Sequence, residues 1–185
     1  MGMYTGLRFK GIVKKEFINE IKTLFDKQDW NDCSHPKLKE FGEFERSNYI
    51  PFGGLSYMPD CWEGKPYDET KPWICPATDG FEKKFNEITG YWSFQCSLKN
   101  YGSELEYFIE EIIPLICEKV FHCEYLYEED TVSTMYELVE GEINILPCGI
   151  RYYSEEYGYP YPPIPEIKRD IPYKNFVFMN YEEEV

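Results

Sequence analysis

The sequence predicts an α+β fold in which an antiparallel sheet carries two main helices on one face. Three stretches predict it. Trp92, Phe94, Cys96 and Leu98 alternate with Ser93, Gln95, Ser97 and Lys99, the period of two of a strand with one buried face. Leu105, Phe108, Ile109, Ile112 and Ile116 then recur every three or four residues, the stripe of an amphipathic helix, while Glu104, Glu110, Glu111 and Glu118 point elsewhere. The chain opens on the same order. Residues 4–13 set Leu7, Phe9, Gly11 and Val13 against Arg8 and Lys10, and residues 14–29 carry Phe17, Ile21, Leu24 and Phe25 at helical spacing, with Ile18 at the edge of the stripe.

Between these two units the pattern is more broken. In residues 30–46, Asp32 and Ser34 suggest turns or a cap, and Pro36 opens a short helix whose buried side is Leu38, Phe41 and Phe44. Residues 48–57 read as two short strand pieces around a bend at Gly53-Gly54. From 59 to 80 periodicity fails: Pro59, Pro66, Pro72 and Pro76 punctuate a stretch in which Trp62, Tyr67 and Trp73 follow no repeat. A stretch of that length is an insertion, and its two tryptophans favour an ordered, packed one. Residues 81–90 lead as a turn or hairpin arm into the Trp92 strand.

After a turn at 99–102, Ser103 stands three residues before Glu106, the spacing of a capping box. The helix it opens is expected to kink near Glu110 or end early, because Pro114 removes one backbone hydrogen bond. Residues 121–128 and 131–145 read as two strands joined at Glu128-Glu129-Asp130. Past Pro147, tyrosines interleave with prolines, which predicts an extended, polyproline-like segment on the surface, with an edge strand at 175–179. The order of elements is explained most simply by a ferredoxin-like sandwich. It comprises one domain over 1–148 with an insertion at 59–80, and a Tyr/Pro-rich extended segment, 149–185, packed on it.

A chain of 185 residues supports one core that buries roughly 70% of its unfolded surface. The formal net charge of −15 argues against direct, non-specific binding to nucleic acid, which requires cations to neutralise phosphates, and favours a basic partner. The charge is also uneven. Residues 1–27 hold six basic and three acidic residues, whereas residues 103–142 hold twelve Asp and Glu against one Lys. Seven cysteines at irregular spacings do not form a disulfide framework, and the first residues lack an apolar signal core. Apolar runs fall far short of the ~20 residues of a membrane span. A cytoplasmic protein that makes no membrane contact is expected.

Candidate chemistry is sparse. Cys33, His35, Cys61 and Cys75 are zinc-ligand types, but without a close Cys-x-x-Cys pair the expectation is ordinary thiols, and no metal or cofactor is assigned. His122, Cys123 and Glu124 are consecutive, yet strand neighbours point to opposite faces, so His122 and Cys123 do not meet. Pro59-Asp60 followed by Glu63-Gly64-Lys65 or Glu82-Lys83-Lys84 spells two halves of a metal-dependent nuclease. The first spacing is too short for a hairpin, and the second puts Glu82 in a turn beside Gly80. No catalytic residue is assigned.

The acidic stretch suggests a different mechanism. Glu104, Glu110, Glu111 and Glu118 on the helix, Glu124, Glu128, Glu129 and Asp130 after it, and Glu137, Glu140 and Glu142 beyond are expected to form one carboxylate surface, with Tyr157 and Tyr159 of the tail as aromatic anchors. Such a surface would present charges resembling phosphates to a nucleic-acid-binding protein and speed encounter by steering.

The segment Trp92 to Tyr101, with the helix extending to Val120 and the aromatic-acidic run Glu124 to Glu129, resembles proteins of Firmicutes genomes and mobile elements. In size and acidity the chain is similar to the inhibitor families these elements carry, anti-CRISPR and toxin-immunity proteins among them. The resemblance implies stoichiometric inhibition: occlusion of a basic, nucleic-acid-handling partner such as an RNA-guided nuclease, or neutralisation of a secreted toxin. A divalent-metal nuclease is the enzymatic alternative.

Overall fold

The computed structural model describes residues 3–59, 62, 81–130, 132–151 and 164–167. Its sheet is built around β1 (Thr5–Val13), which pairs antiparallel with β3 (Tyr91–Leu98) on one side and β4 (Cys117–Tyr127) on the other. With β2 (Lys84–Phe85), β5 (Thr134–Val139) and β6 (Glu142–Ile145) the six-stranded order is β2-β3-β1-β4-β5-β6. The α+β class follows directly.

Register puts Phe9 opposite Phe94 and Cys123, so these side chains share one face with Leu7, Val13 and Trp92. Every main helix packs there. α1 (Ile18–Lys27) contributes Ile21 and Leu24, and α2 (Pro36–Gly42), with His35 Nδ1 accepting from the Lys37 amide at its start, contributes Leu38 and Phe41. Trp30 is fully buried between them and donates its indole N–H to the Ile50 carbonyl at 2.6 Å. It meets Phe41 edge-on at 5.2 Å between centroids, and each such buried ring contributes roughly 1.5–3 kcal/mol.

The central helix runs as Glu104–Tyr107, a π turn Phe108–Ile112, and Ile113–Ile116. The π turn lies where Pro114 withholds an amide, which is how the expected disturbance near Glu110 is realised. Lys14 ends the helix by donating to the carbonyls of Pro114 (3.1 Å) and Leu115 (2.9 Å), and β4 begins at Cys117, earlier than Val120. Ser103 occupies the N-cap position but its hydroxyl does not cap the helix. It sits at φ 59° without a side-chain bond, and Asn100 accepts from the Leu105 amide at 3.0 Å instead.

Two further expectations change. Residues 49–52 form a turn broken at Ile50, whose backbone is not helical (φ −108°, ψ 103°), and not a strand, since Pro51 has no N–H for a ladder and Ile50 is held in the core by Trp30. Residues 131–145 do not make one strand: Glu140 (φ 52°) and Gly141 (φ 80°) form a two-residue reverse turn that splits them into β5 and β6.

β3 is buried on both faces, because Trp62, Met58 and Phe81 cover the second side of the sheet. Gly6 permits this cover, as a Cβ there would run into Met58 Sδ and come within 2.7 Å of Trp62. After Pro147 the chain forms β7 (Cys148–Arg151) paired with β8 (Ile164–Ile167), and Ile150 is tied to Ser133 through its amide and carbonyl. The expected strand at 175–179 and most of the insertion lie outside the described residues. Among the described residues no helix is long and apolar enough to cross a membrane.

Candidate binding surface

The carboxylates expected to form one surface are spread over several places in the fold. Glu104 and Glu124 are interior residues, at 1% and 0% exposure, and this corrects their assignment to a surface. Glu104 turns back to accept from the Gly102 amide at 3.0 Å, the loop just before its own helix. Glu124 faces the covered side of the sheet because it lies opposite Arg8 in the register.

Glu118 and the turn residues Glu128, Glu129 and Asp130 stand at opposite ends of β4, about 30 Å apart at the rise of a strand. They do not converge. Glu111 is exposed but forms an ion pair with Lys37 of α2. Glu106, between these groups, accepts from the Tyr125 hydroxyl at 2.9 Å and the Asn100 amide at 2.6 Å.

Glu110 and Glu142 are the pair brought together. They line one groove between the central helix and the β5–β6 hairpin, with Pro114 on the helix side and Tyr136, Ile143 and Ile145 from the hairpin. Ile145 is 68% exposed. Burial first, then Cys123, Glu106 and Glu110, push the Tyr136 hydroxyl up to about 12, so it stays neutral in the groove. Glu140 projects from the hairpin tip and Glu137 is half-buried. Tyr157 and Tyr159 lie outside the described residues.

The second side of the sheet holds a polar ladder that the sequence reading did not foresee as a unit. Gln95, Arg8 and Glu124 form one cross-strand row, and Ser93, Lys10 and His122 the next. His122 Nε2 lies 3.1 Å from Glu124 Oε1, Arg8 Nε donates to Gln95 at 3.1 Å, and Gln95 donates to the Trp62 carbonyl at 2.6 Å. The Arg8 guanidinium lies 4.5 Å from the rings of both Trp62 and Phe81, and Lys10 Nζ 4.4 Å from Phe81. Phe81 also meets His122 edge-on at 4.8 Å. These contacts fasten both ends of the insertion to the sheet by cation–π attraction. The signal for this ladder was present, since Arg8 with Lys10 and His122 with Glu124 are each spaced by two on a strand.

The described residues show neither a cluster of metal-ligand types nor an activated thiol. No group of three His, Cys, Asp or Glu is arranged there to hold a metal ion. Cys33 Sγ is buried and donates to the Glu20 carbonyl at 3.7 Å, and burial, then Glu20, Asp32 and Asp29, push its thiol up to about 12. Burial raises the thiols of Cys96, Cys117 and Cys123 as well. A thiolate nucleophile needs the opposite shift. Glu82 is exposed, while Asp60, Cys61, Glu63, Lys65 and Cys75 lie outside the described residues.

No family model, curated protein or solved structure matches the chain. The functional reading therefore rests on geometry and charge.

Proposed function

We propose that the chain is a non-enzymatic cytoplasmic binding protein that engages and occludes a basic, nucleic-acid-handling protein through its exposed carboxylates. The specific form of the proposal is anti-CRISPR-like inhibition of an RNA-guided nuclease. One observation carries it: Glu110, Glu118, Glu129, Asp130, Glu140 and Glu142 are exposed and enter no ion pair among the described residues, in a chain of net charge −15. Carboxylates left in water this way keep their hydration, repel one another at some cost to the free protein, and accelerate encounter with a cationic surface. Two of them share an apolar-floored groove, so charge and contact area coincide.

The scaffold we infer is a ferredoxin-like sandwich. The order β2-β3-β1-β4, with α1 following β1 and the central helix joining β3 to β4, supports it, with the β5–β6 hairpin added at one edge.

The experiment is titration into guide-loaded RNA-guided nucleases with DNA binding as the readout. The expected result is stoichiometric loss of DNA binding that weakens as salt is raised and disappears in the Glu110→Lys/Glu142→Lys variant. Inhibition by that variant equal to wild type, at every salt concentration, would remove the carboxylates from the mechanism.

A further inference from the structure

Resting on that binding reading, we propose that the groove beside the central helix receives an amphipathic basic helix of the partner, laid on the sheet face over β5 and β6. The register pairs Tyr136 with Ile145 and Leu138 with Ile143, so all four side chains lie on the face that the helices cover elsewhere. Cover fades along this edge. Tyr136, Leu138 and Ile143 pack in part against the core, whereas Ile145 is 68% exposed.

A sheet buries its apolar face under a second layer, and among the described residues that layer thins over β5 and leaves Ile145 of β6 exposed. Two strands at about 4.8 Å spacing make a strip about 10 Å wide, which is the diameter of a helix. A strand added to the edge of β6 would lengthen the sheet and leave Ile145 uncovered, so it does not answer the exposed face. A helix does.

Charge selects the helix's flanks. Glu110 stands on the central-helix wall and Glu142 on the hairpin, so an apolar stripe flanked by Lys or Arg matches both. A second copy of this chain is disfavoured, since each carries net charge −15. The wall bearing Glu110 is itself a π turn, a local geometry that concentrates at functional sites.

The test uses a synthetic stapled helical peptide with a leucine stripe flanked by lysines, and a control of the same composition made non-helical by two prolines. Binding is followed by calorimetry and by methyl and amide NMR. The expected result is selective binding of the helical peptide, shifts at the Ile143 and Ile145 methyls, and an affinity loss of about tenfold in Ile145→Asn and in Glu110→Gln/Glu142→Gln, with unchanged melting. Equal binding of the proline peptide, or shifts confined to the β6 amides, overturns the helix. Loss in the carboxylate variant but not in Ile145→Asn overturns the groove and leaves the electrostatic reading standing. No loss in either variant overturns both.

Discussion

Arg8 and Glu124 face one another across β1 and β4, and neither reaches solvent. Burial alone would raise the Glu124 carboxyl. The hydrogen bond and charge of His122, the charge of Arg8 and the Ser133 hydroxyl more than offset it, so the group is held below its ordinary 4.5. His122 is also lowered, from 6.5: burial pushes it down, the Glu124 contact opposes, and the Arg8 and Lys10 charges add to the lowering. These two causes conflict in part, because a neutral imidazole lends no charge to the carboxylate. Arg8 is the lasting cation of the pair. With both folded-state values depressed, the unfolded chain binds protons first, and stability is lost as pH falls through 6.5 and then 4.5. Urea denaturation is expected to show this decline, with His122→Gln flattening the part that sets in as pH falls below about 6.5. Glu124→Gln removes the carboxylate facing Arg8 and is expected to cost about 3–5 kcal/mol by the same measurement. The residue types and their spacing were legible; that they meet under Phe81 and Trp62 was not, since those rings lie far away in the chain.

At the scale of elements, apolar periodicity located β1, α1, α2, β3 and the central helix, because each buries one regular stripe. It failed where a local bond competes with the pattern. Asn100 reaches forward to the Leu105 amide and replaces the Ser103 cap, so Asn100→Ala is expected to cost about 1 kcal/mol in thermal or urea unfolding, and Ser103→Ala almost nothing. The reverse result would restore the capping box. The split of residues 131–145 turned on Glu140-Gly141, whose positive φ values make a hairpin turn. That dipeptide is weaker as a signal than Asn-Gly, and the apolar residues around it mask the break.

For the molecule as a whole, the decisive feature is that the sheet has two covered faces of different chemistry. One carries helices and aromatic rings. The other carries charged rows beneath the ends of the insertion. Gly6 lets that second cover approach, so Gly6→Ala is expected to lift Trp62 and Met58 from the sheet, read as a red shift and greater quenching of tryptophan fluorescence together with faster proteolysis near residue 62. Unaltered fluorescence and proteolysis would mean that the cover tolerates a methyl group there. The same two-sided burial divides the acidic residues, drawing Glu124 inside and leaving Glu110 and Glu142 at the groove.

The α+β class, the negative charge and the places of β1, α1, α2, β3 and the central helix were determined by the sequence alone, because each depends on composition or on a repeat over neighbouring residues. Which carboxylates face water was decided only by the tertiary structure. Exposure depends on what a distant segment lays over each side chain, and a strand's pattern of two records its faces without saying whether one or both are covered.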